Sequence, residues 1–238
     1  MHLIGLKTCA SIIMNKPKQL TFPWSKPNKS NFNEYYFDKS NEELKSKILE
    51  HEDIVVYGIK KTGKTYLLQS LCNYYAKKNK TSLFIPLAEV SSLDTSIFDS
   101  IENIDIICID DIDSIKGRNE WEIALFNLIN NSLLSGCRLV FSSSENPTSI
   151  NFSLSDLDSR VRKINGAEVH PISDAKLQDA VKEISQLRSI RLGEKELNYL
   201  ITYTERSIHS LIDILNKLDD LSIEQKRKIT IPLIKEVI

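Results

Sequence analysis

The segment Gly58-Ile59-Lys60-Lys61-Thr62-Gly63-Lys64-Thr65 reads G-x-x-x-x-G-K-T, and the chain enters it from the short β-branched run Asp53-Ile54-Val55-Val56-Tyr57. Leu67, Leu68, Leu71 and Tyr74 or Tyr75 follow at helical spacing. Strand, glycine loop and helix together form the context in which this motif wraps phosphate, because the loop N–H groups and the helix N-terminus point at one anion. The pattern assigns Gly58 and Gly63 to the turns of the loop. Lys64 is expected to reach the β/γ-phosphates, and the Thr65 hydroxyl to ligate Mg²⁺. The whole chain has only seven glycines, and two of them fall at these positions. A glycine turn that merely caps a helix is the plainer alternative. A chain with this unit is expected to build a parallel sheet with helical crossovers.

A second apolar run, Asn103-Ile104-Asp105-Ile106-Ile107-Cys108-Ile109, ends in the paired carboxylates Asp110 and Asp111. In a sheet of this kind the C-terminal ends of the strands face the ligand crevice. Asp110 is therefore expected to hold the metal and Asp111 to polarise an attacking water. Ser82-Leu83-Phe84-Ile85-Pro86 and Arg138-Leu139-Val140-Phe141-Ser142 read as two further strands, the latter after a helix through Trp121, Leu125, Leu128, Ile129 and Leu133. The last strand runs into Ser143-Ser144-Glu145-Asn146-Pro147. A polar residue there either senses a terminal phosphate or simply forms a turn before Pro147. Next come Leu154 to Lys163, closing at Asn165-Gly166; the stretch is either a solvated basic helix end or the source of an arginine offered to a neighbour's nucleotide. From Ser173 onward the chain reads as helical, near 173–187, 194–202, 207–219 and 230–238, with Pro232 tolerated in a first turn.

The 238 residues are 41% hydrophobic and 26% charged, an ordinary globular composition with room for one large domain or two small ones. No apolar stretch approaches the ~18 residues of a membrane span. The four cysteines have no C-x-x-C spacing, so a reducing cytoplasm is the expected setting. Residues 1–33 carry five lysines and no acid; the rest has 26 basic and 32 acidic residues, a net of −6 that argues against sequence-independent DNA binding. Met14, opening the polar segment MNKPK, reads as the true start, with residues 1–13 outside the native protein. Gln19-Leu20-Thr21-Phe22-Pro23-Trp24 places large apolar side chains in this basic tail. They either pack back on the body or alternate along an extended peptide that fills a partner's groove.

The order of these features, from about Phe32 onward, resembles the AAA+ ATPases of the DnaA type. Within them it resembles the Hda group of DnaA inactivators, on two further features: QLTFPW and the ending Gln225-Lys226-Arg227-Lys228-Ile229-Thr230-Ile231-Pro232-Leu233-Ile234-Lys235-Glu236-Val237. The resemblance implies an α/β AAA+ P-loop domain with a five-stranded parallel sheet, followed by a helical lid. It divides the chain into a tail (1–30), a nucleotide-binding domain (31–172) and a lid (173–238). It implies that Gln19, Leu20, Phe22, Pro23 and Trp24 bind the DNA polymerase III sliding clamp. Phe32, Tyr35 and Asn41 would lie beside adenine, and Asp38 stands where the family often has glycine. Ser144, Glu145 and Asn146 occupy the sensor I stretch, and Arg160 matches the arginine finger. At the position of the sensor II arginine stands His209, with Arg206 one turn earlier as a substitute. That departure favours ADP over tightly held ATP.

The function implied is a cytoplasmic regulator of replication initiation, bound to ADP or ATP with Mg²⁺. It would be tethered to the clamp and would stimulate ATP hydrolysis by DnaA, with weak hydrolysis of its own at most. Self-association is left open; no membrane and no sequence-specific DNA contact is implied. One alternative is the ATPase domain of an initiator or helicase loader acting directly on DNA, although an initiator would need a helix-turn-helix after the lid. A generic P-loop kinase is the other, although it would have no use for Arg160 in trans.

Overall fold

The computed structural model describes residues 30–90, 93–205 and 207–238. Five strands, β1 (Ile54–Tyr57), β2 (Ser82–Pro86), β3 (Ile106–Asp110), β4 (Arg138–Ser143) and β5 (Asn165–Glu168), form one sheet in the order β2-β3-β4-β1-β5. All four pairings are parallel. The helices are α1 (Glu42–Leu49), α2 (Lys64–Lys77), α3 (Leu87–Val90), α4 (Asn119–Ser135), α5 (Ser155–Lys163), α6 (Asp174–Leu187), α7 (Glu194–Tyr203), α8 (Ile208–Glu224) and α9 (Ile231–Lys235).

Strand alternation sends side chains to both faces of the sheet. Val55, Ile107, Ile109, Leu139 and Phe141 pack with Trp121, Leu125 and Leu128 of α4 and with Leu157 and Val161 of α5. Ile54, Val56, Ile106, Cys108 and Val140 pack on the other face, against Leu44 and Ile48 of α1 and Leu67, Leu68 and Leu71 of α2. A third core lies within the C-terminal helices, around Leu177, Val181, Leu200, Leu211, Leu215 and Leu233. Among the described residues no helix is long and apolar enough to cross a membrane.

Several boundaries differ from the sequence reading. The third strand begins at Ile106; just before it the Asp105 carboxylate accepts from the Thr81 N–H at 2.7 Å and the Thr81 hydroxyl at 2.8 Å. Asn165-Gly166 belongs to a strand rather than a helix-ending turn, and pairs with Ile54 and Val55. α8 runs on to Glu224, since Leu218 is buried and Leu221 still packs on the third core. The last helix is shorter than expected, with Pro232 in its first turn.

Candidate functional site

The C-terminal ends of β1, β4 and β3 lie side by side, and the loop from β1 to α2 closes over them. Gly58 donates to the Ser143 carbonyl at 3.2 Å, extending the β1–β4 ladder by one residue. A Cβ there would stand 2.5 Å from the Val169 carbonyl oxygen, backbone that cannot yield, so only glycine fits. Gly63 caps α2 in the left-handed region at φ +91°. The unpaired N–H groups of the first turn of α2 therefore open onto the loop. Lys64 is only 6% exposed, and its Nζ donates to the Gly58 and Ile59 carbonyls at 2.7 and 2.9 Å. Burial pulls its ammonium below the usual range, and Asp111, Asp110 and Asp113 oppose that pull.

Asp110 is buried, and its carboxylate accepts from the hydroxyls of Ser142 and Thr65. Burial raises its pKa; those two hydroxyls and Lys64 act against the rise. Asp111 adopts φ 54°, uncommon outside glycine although tolerated by aspartate, and its N–H donates to the Ser142 hydroxyl at 2.8 Å. Burial first, then the charges of Asp110 and Asp113, push its carboxyl up as well. A carboxylate raised in this way accepts a proton more readily. Thr65 and Asp110 thus offer hard oxygen donors beside Lys64, a donor set that would suit a hard divalent cation such as Mg²⁺.

Sequence reasoning missed Asp113. Its carboxylate accepts from both the N–H and the hydroxyl of Ser144, joining the tip of β4 to the turn after β3. The signal was visible in the run Asp110-Asp111-Ile112-Asp113. Within the sensor stretch, Ser144 thus faces the carboxylate cluster. Glu145 is exposed, and Asn146 Oδ1 caps a turn by accepting from Thr148 N and Oγ1 at 3.0 and 2.8 Å.

Beside the loop lies a cavity, open to solvent, whose lining includes Tyr35, Gly63, Tyr66, Ile172, His209 and Ile212. Tyr35 lies over Gly63 and packs on Phe37 at 4.6 Å between ring centroids. Burial, then Asp38, pushes its hydroxyl well above the ordinary range. Phe32 is one layer further in, buried against Phe37 and Tyr74, rather than on the cavity wall. Asn41 borders the cavity with its amide committed: Nδ2 donates to Asp38 Oδ1 at 2.9 Å and the His170 carbonyl at 3.0 Å, and Oδ1 accepts from His170 N at 2.9 Å. His209 reaches the cavity from α8, with Nε2 3.4 Å from Asp213 Oδ2. Arg206 lies outside the described residues, as do Gln19, Leu20, Phe22, Pro23 and Trp24.

Arg188, just after α6, also escaped sequence reasoning. It bonds Glu34 Oε2 at 2.7 Å, Asn216 Oδ1 at 2.6 Å and the Tyr66 hydroxyl at 3.2 Å. It thereby joins two lid helices to the start of α2 and to the segment carrying Tyr35. The side chains of Arg188 and Glu34 are 10% and 14% exposed, so removing one leaves the other poorly hydrated. Arg188→Ala is expected to lower unfolding stability by roughly 2–4 kcal/mol. Urea unfolding followed by circular dichroism checks this; an unchanged midpoint contradicts it.

Arg160 is exposed on α5, and among the described residues it has no hydrogen-bond or ion-pair partner. Arg162 is committed, by contrast: Nε bonds Asp158 Oδ2 at 2.6 Å and a terminal nitrogen bonds Asn151 Oδ1 at 2.8 Å. Because α5 packs on the opposite face of the sheet from α2, Arg160 is set apart from the phosphate loop of its own chain.

Residues 33–166 match the family model for the bacterial DnaA ATPase domain, and residues 174–238 match the model for the Hda lid domain. An uncharacterised protein of Haemophilus influenzae is 30% identical over 184 residues, covering 77% of this chain and 80% of that one. Domain III of the Thermotoga maritima replication initiation protein DnaA superposes with a TM-score of 0.66 at 20% identity, over 88% of this chain and 97% of that one. AMPPCP-bound DnaA of Aquifex aeolicus gives 0.64 at 18% identity, over 82% and 66%.

Proposed function

For a chain that belongs to the bacterial DnaA ATPase-domain family and carries an Hda lid domain, we propose a role as a regulator of replication initiation that acts on DnaA. It binds an adenine nucleotide, ADP in its working state, and promotes hydrolysis of the ATP held by DnaA. The observation that carries this reading is Arg160: a guanidinium free among the described residues and placed away from its own phosphate loop, on a chain whose other parts match that family.

The residues present fit a nucleotide with Mg²⁺. The Gly58–Gly63 loop and the start of α2 would surround the phosphates, Lys64 would exchange its loop carbonyls for phosphate oxygens, and Thr65 and Asp110 would hold the metal. The metal, when bound, neutralises phosphate charge. Tyr35 and the apolar wall of the cavity take the base. His209 supplies a single ring contact where an arginine would give a planar fork of donors, so the γ-phosphate end is held less firmly. This weakness is consistent with the proposed ADP-bound working state.

On DnaA, water attacks the γ-phosphorus, the bond to the β-phosphate oxygen breaks, and the charge on the transferring group is met by Arg160 from outside. The family resemblance of QLTFPW supports a tether in which Leu20, Phe22 and Trp24 enter an apolar groove of the sliding clamp. Burying such side chains contributes roughly 1.5–3 kcal/mol each before ordering costs. Leu20→Ala combined with Phe22→Ala is therefore expected to weaken clamp binding about a hundredfold. Surface plasmon resonance on immobilised clamp tests this; equal binding by wild type and variant overturns the tether.

A further inference from the structure

Among the described residues, Lys61 is the one lysine of the phosphate loop whose ammonium bonds the lid. It sits in the left-handed region at φ 67°, and its Nζ meets Glu205 Oε1 at 2.5 Å. Glu205 lies between α7 and α8, four residues before His209, and its other carboxylate oxygen accepts from the Ser210 hydroxyl at 2.8 Å. Lys61, then Ser210, holds its carboxyl below the usual carboxylate range. Lys64 of the same loop is turned inward, where its ammonium bonds the Gly58 and Ile59 carbonyls, so the two lysines are committed to different neighbours.

We propose that the Lys61–Glu205 pair is a specificity determinant that makes the site favour a nucleoside diphosphate over a triphosphate. The inference rests on the nucleotide-binding reading above and names residues that enforce its diphosphate preference. Two effects act in one direction. Glu205 draws the Lys61 ammonium away from the phosphates, removing a donor that a third phosphate would need. Glu205 also sets a fixed negative charge at the mouth of the loop, where each added phosphate meets more repulsion. A diphosphate stops short of the lid and escapes most of this penalty. Because both members of the pair are largely exposed, salt screens the effect.

The test is isothermal titration of the full chain with ADP and with a non-hydrolysable ATP analogue, both with Mg²⁺, at low and high salt. Wild type is expected to bind ADP more tightly. Glu205→Gln frees Lys61 and removes the charge, so analogue affinity should rise relative to ADP by roughly fivefold or more. Lys61→Ala leaves Glu205 unpaired, so the ratio should move the opposite way, further toward ADP. Both shifts should shrink at high salt, whereas a merely structural loss would weaken both nucleotides together. If wild type binds ADP but Glu205→Gln leaves the ratio unchanged, the specificity role is overturned while the nucleotide site stands. If wild type binds neither nucleotide, the underlying site reading fails and the inference falls with it.

Discussion

Arg160→Ala is expected to abolish stimulation of ATP hydrolysis by DnaA while leaving the protein folded and able to bind ADP and the clamp. An arginine delivered in trans to a transferring phosphoryl group is worth roughly 10³–10⁵ in rate in general systems. The structure presents this side chain on a firm base. Leu157 and Val161 bury one face of α5 in the sheet core. The wholly buried carboxylate of Glu122 on α4 accepts from Gly117 N at 2.7 Å, Ser153 N at 3.2 Å and Leu154 N at 2.6 Å, fixing the turn that launches the helix. Arg160→Lys should not rescue, since an ammonium cannot bridge two phosphate oxygens with a planar fork. Arg162→Ala is the internal control and should keep most of the stimulation, because Arg162 is held on its own surface by Asp158 and Asn151. Single-turnover hydrolysis by DnaA measures both. Full stimulation by Arg160→Ala with loss in Arg162→Ala would move the assignment by two residues; retention by both would remove the mechanism.

Lys64→Ala should erase the thermal stabilisation that ADP with Mg²⁺ confers on wild type. Ligand at a hundred times Kd adds about 2.7 kcal/mol, which for a chain of this size is an upward shift of roughly 5–10 °C. The alanine variant also loses the bonds from Nζ to the Gly58 and Ile59 carbonyls, so its melting point without nucleotide is expected to fall too. The decisive quantity is therefore the difference made by nucleotide. Thr65→Ala separates the metal from the phosphate contact: it should keep weak ADP binding but lose most of the gain from Mg²⁺. Scanning fluorimetry with and without ADP reads all three proteins; a Lys64→Ala shift equal to that of wild type contradicts the phosphate role.

The parts of this architecture that carry a local signature were readable from the residues. β1 and β3 are β-branched runs, and each ends in its own chemistry: the glycine loop in one case, the paired carboxylates in the other. Ser82–Pro86 was bounded correctly because Pro86 marks its end. β5 could not be read in this way. Asn-Gly-Ala-Glu has no hydrophobic run; as an edge strand it buries only Ala167, and it exists because Ile54, Val55, Val56 and Tyr57 supply a ladder. Long-range polar contacts were equally invisible. Arg188 meets Glu34 across 154 residues and Tyr66 across 122, and nothing near Arg188 in sequence announces either. The Lys61–Glu205 bond spans 144 residues. Motif spacing therefore singled out the glycine loop and the paired carboxylates, which the fold brings to the same ends of the strands on either side of β4, while the attachment of the lid to the loop emerged only from the folded chain.

The central claim is that this protein makes DnaA hydrolyse its ATP from a position on the sliding clamp. It is tested most directly by following the conversion of DnaA-bound ATP to ADP with clamp loaded on DNA, in the presence and absence of the ADP-bound protein. The account predicts rapid conversion only when protein and loaded clamp are both present, and slow conversion when either is left out. Conversion at the same slow rate with every component present would contradict it.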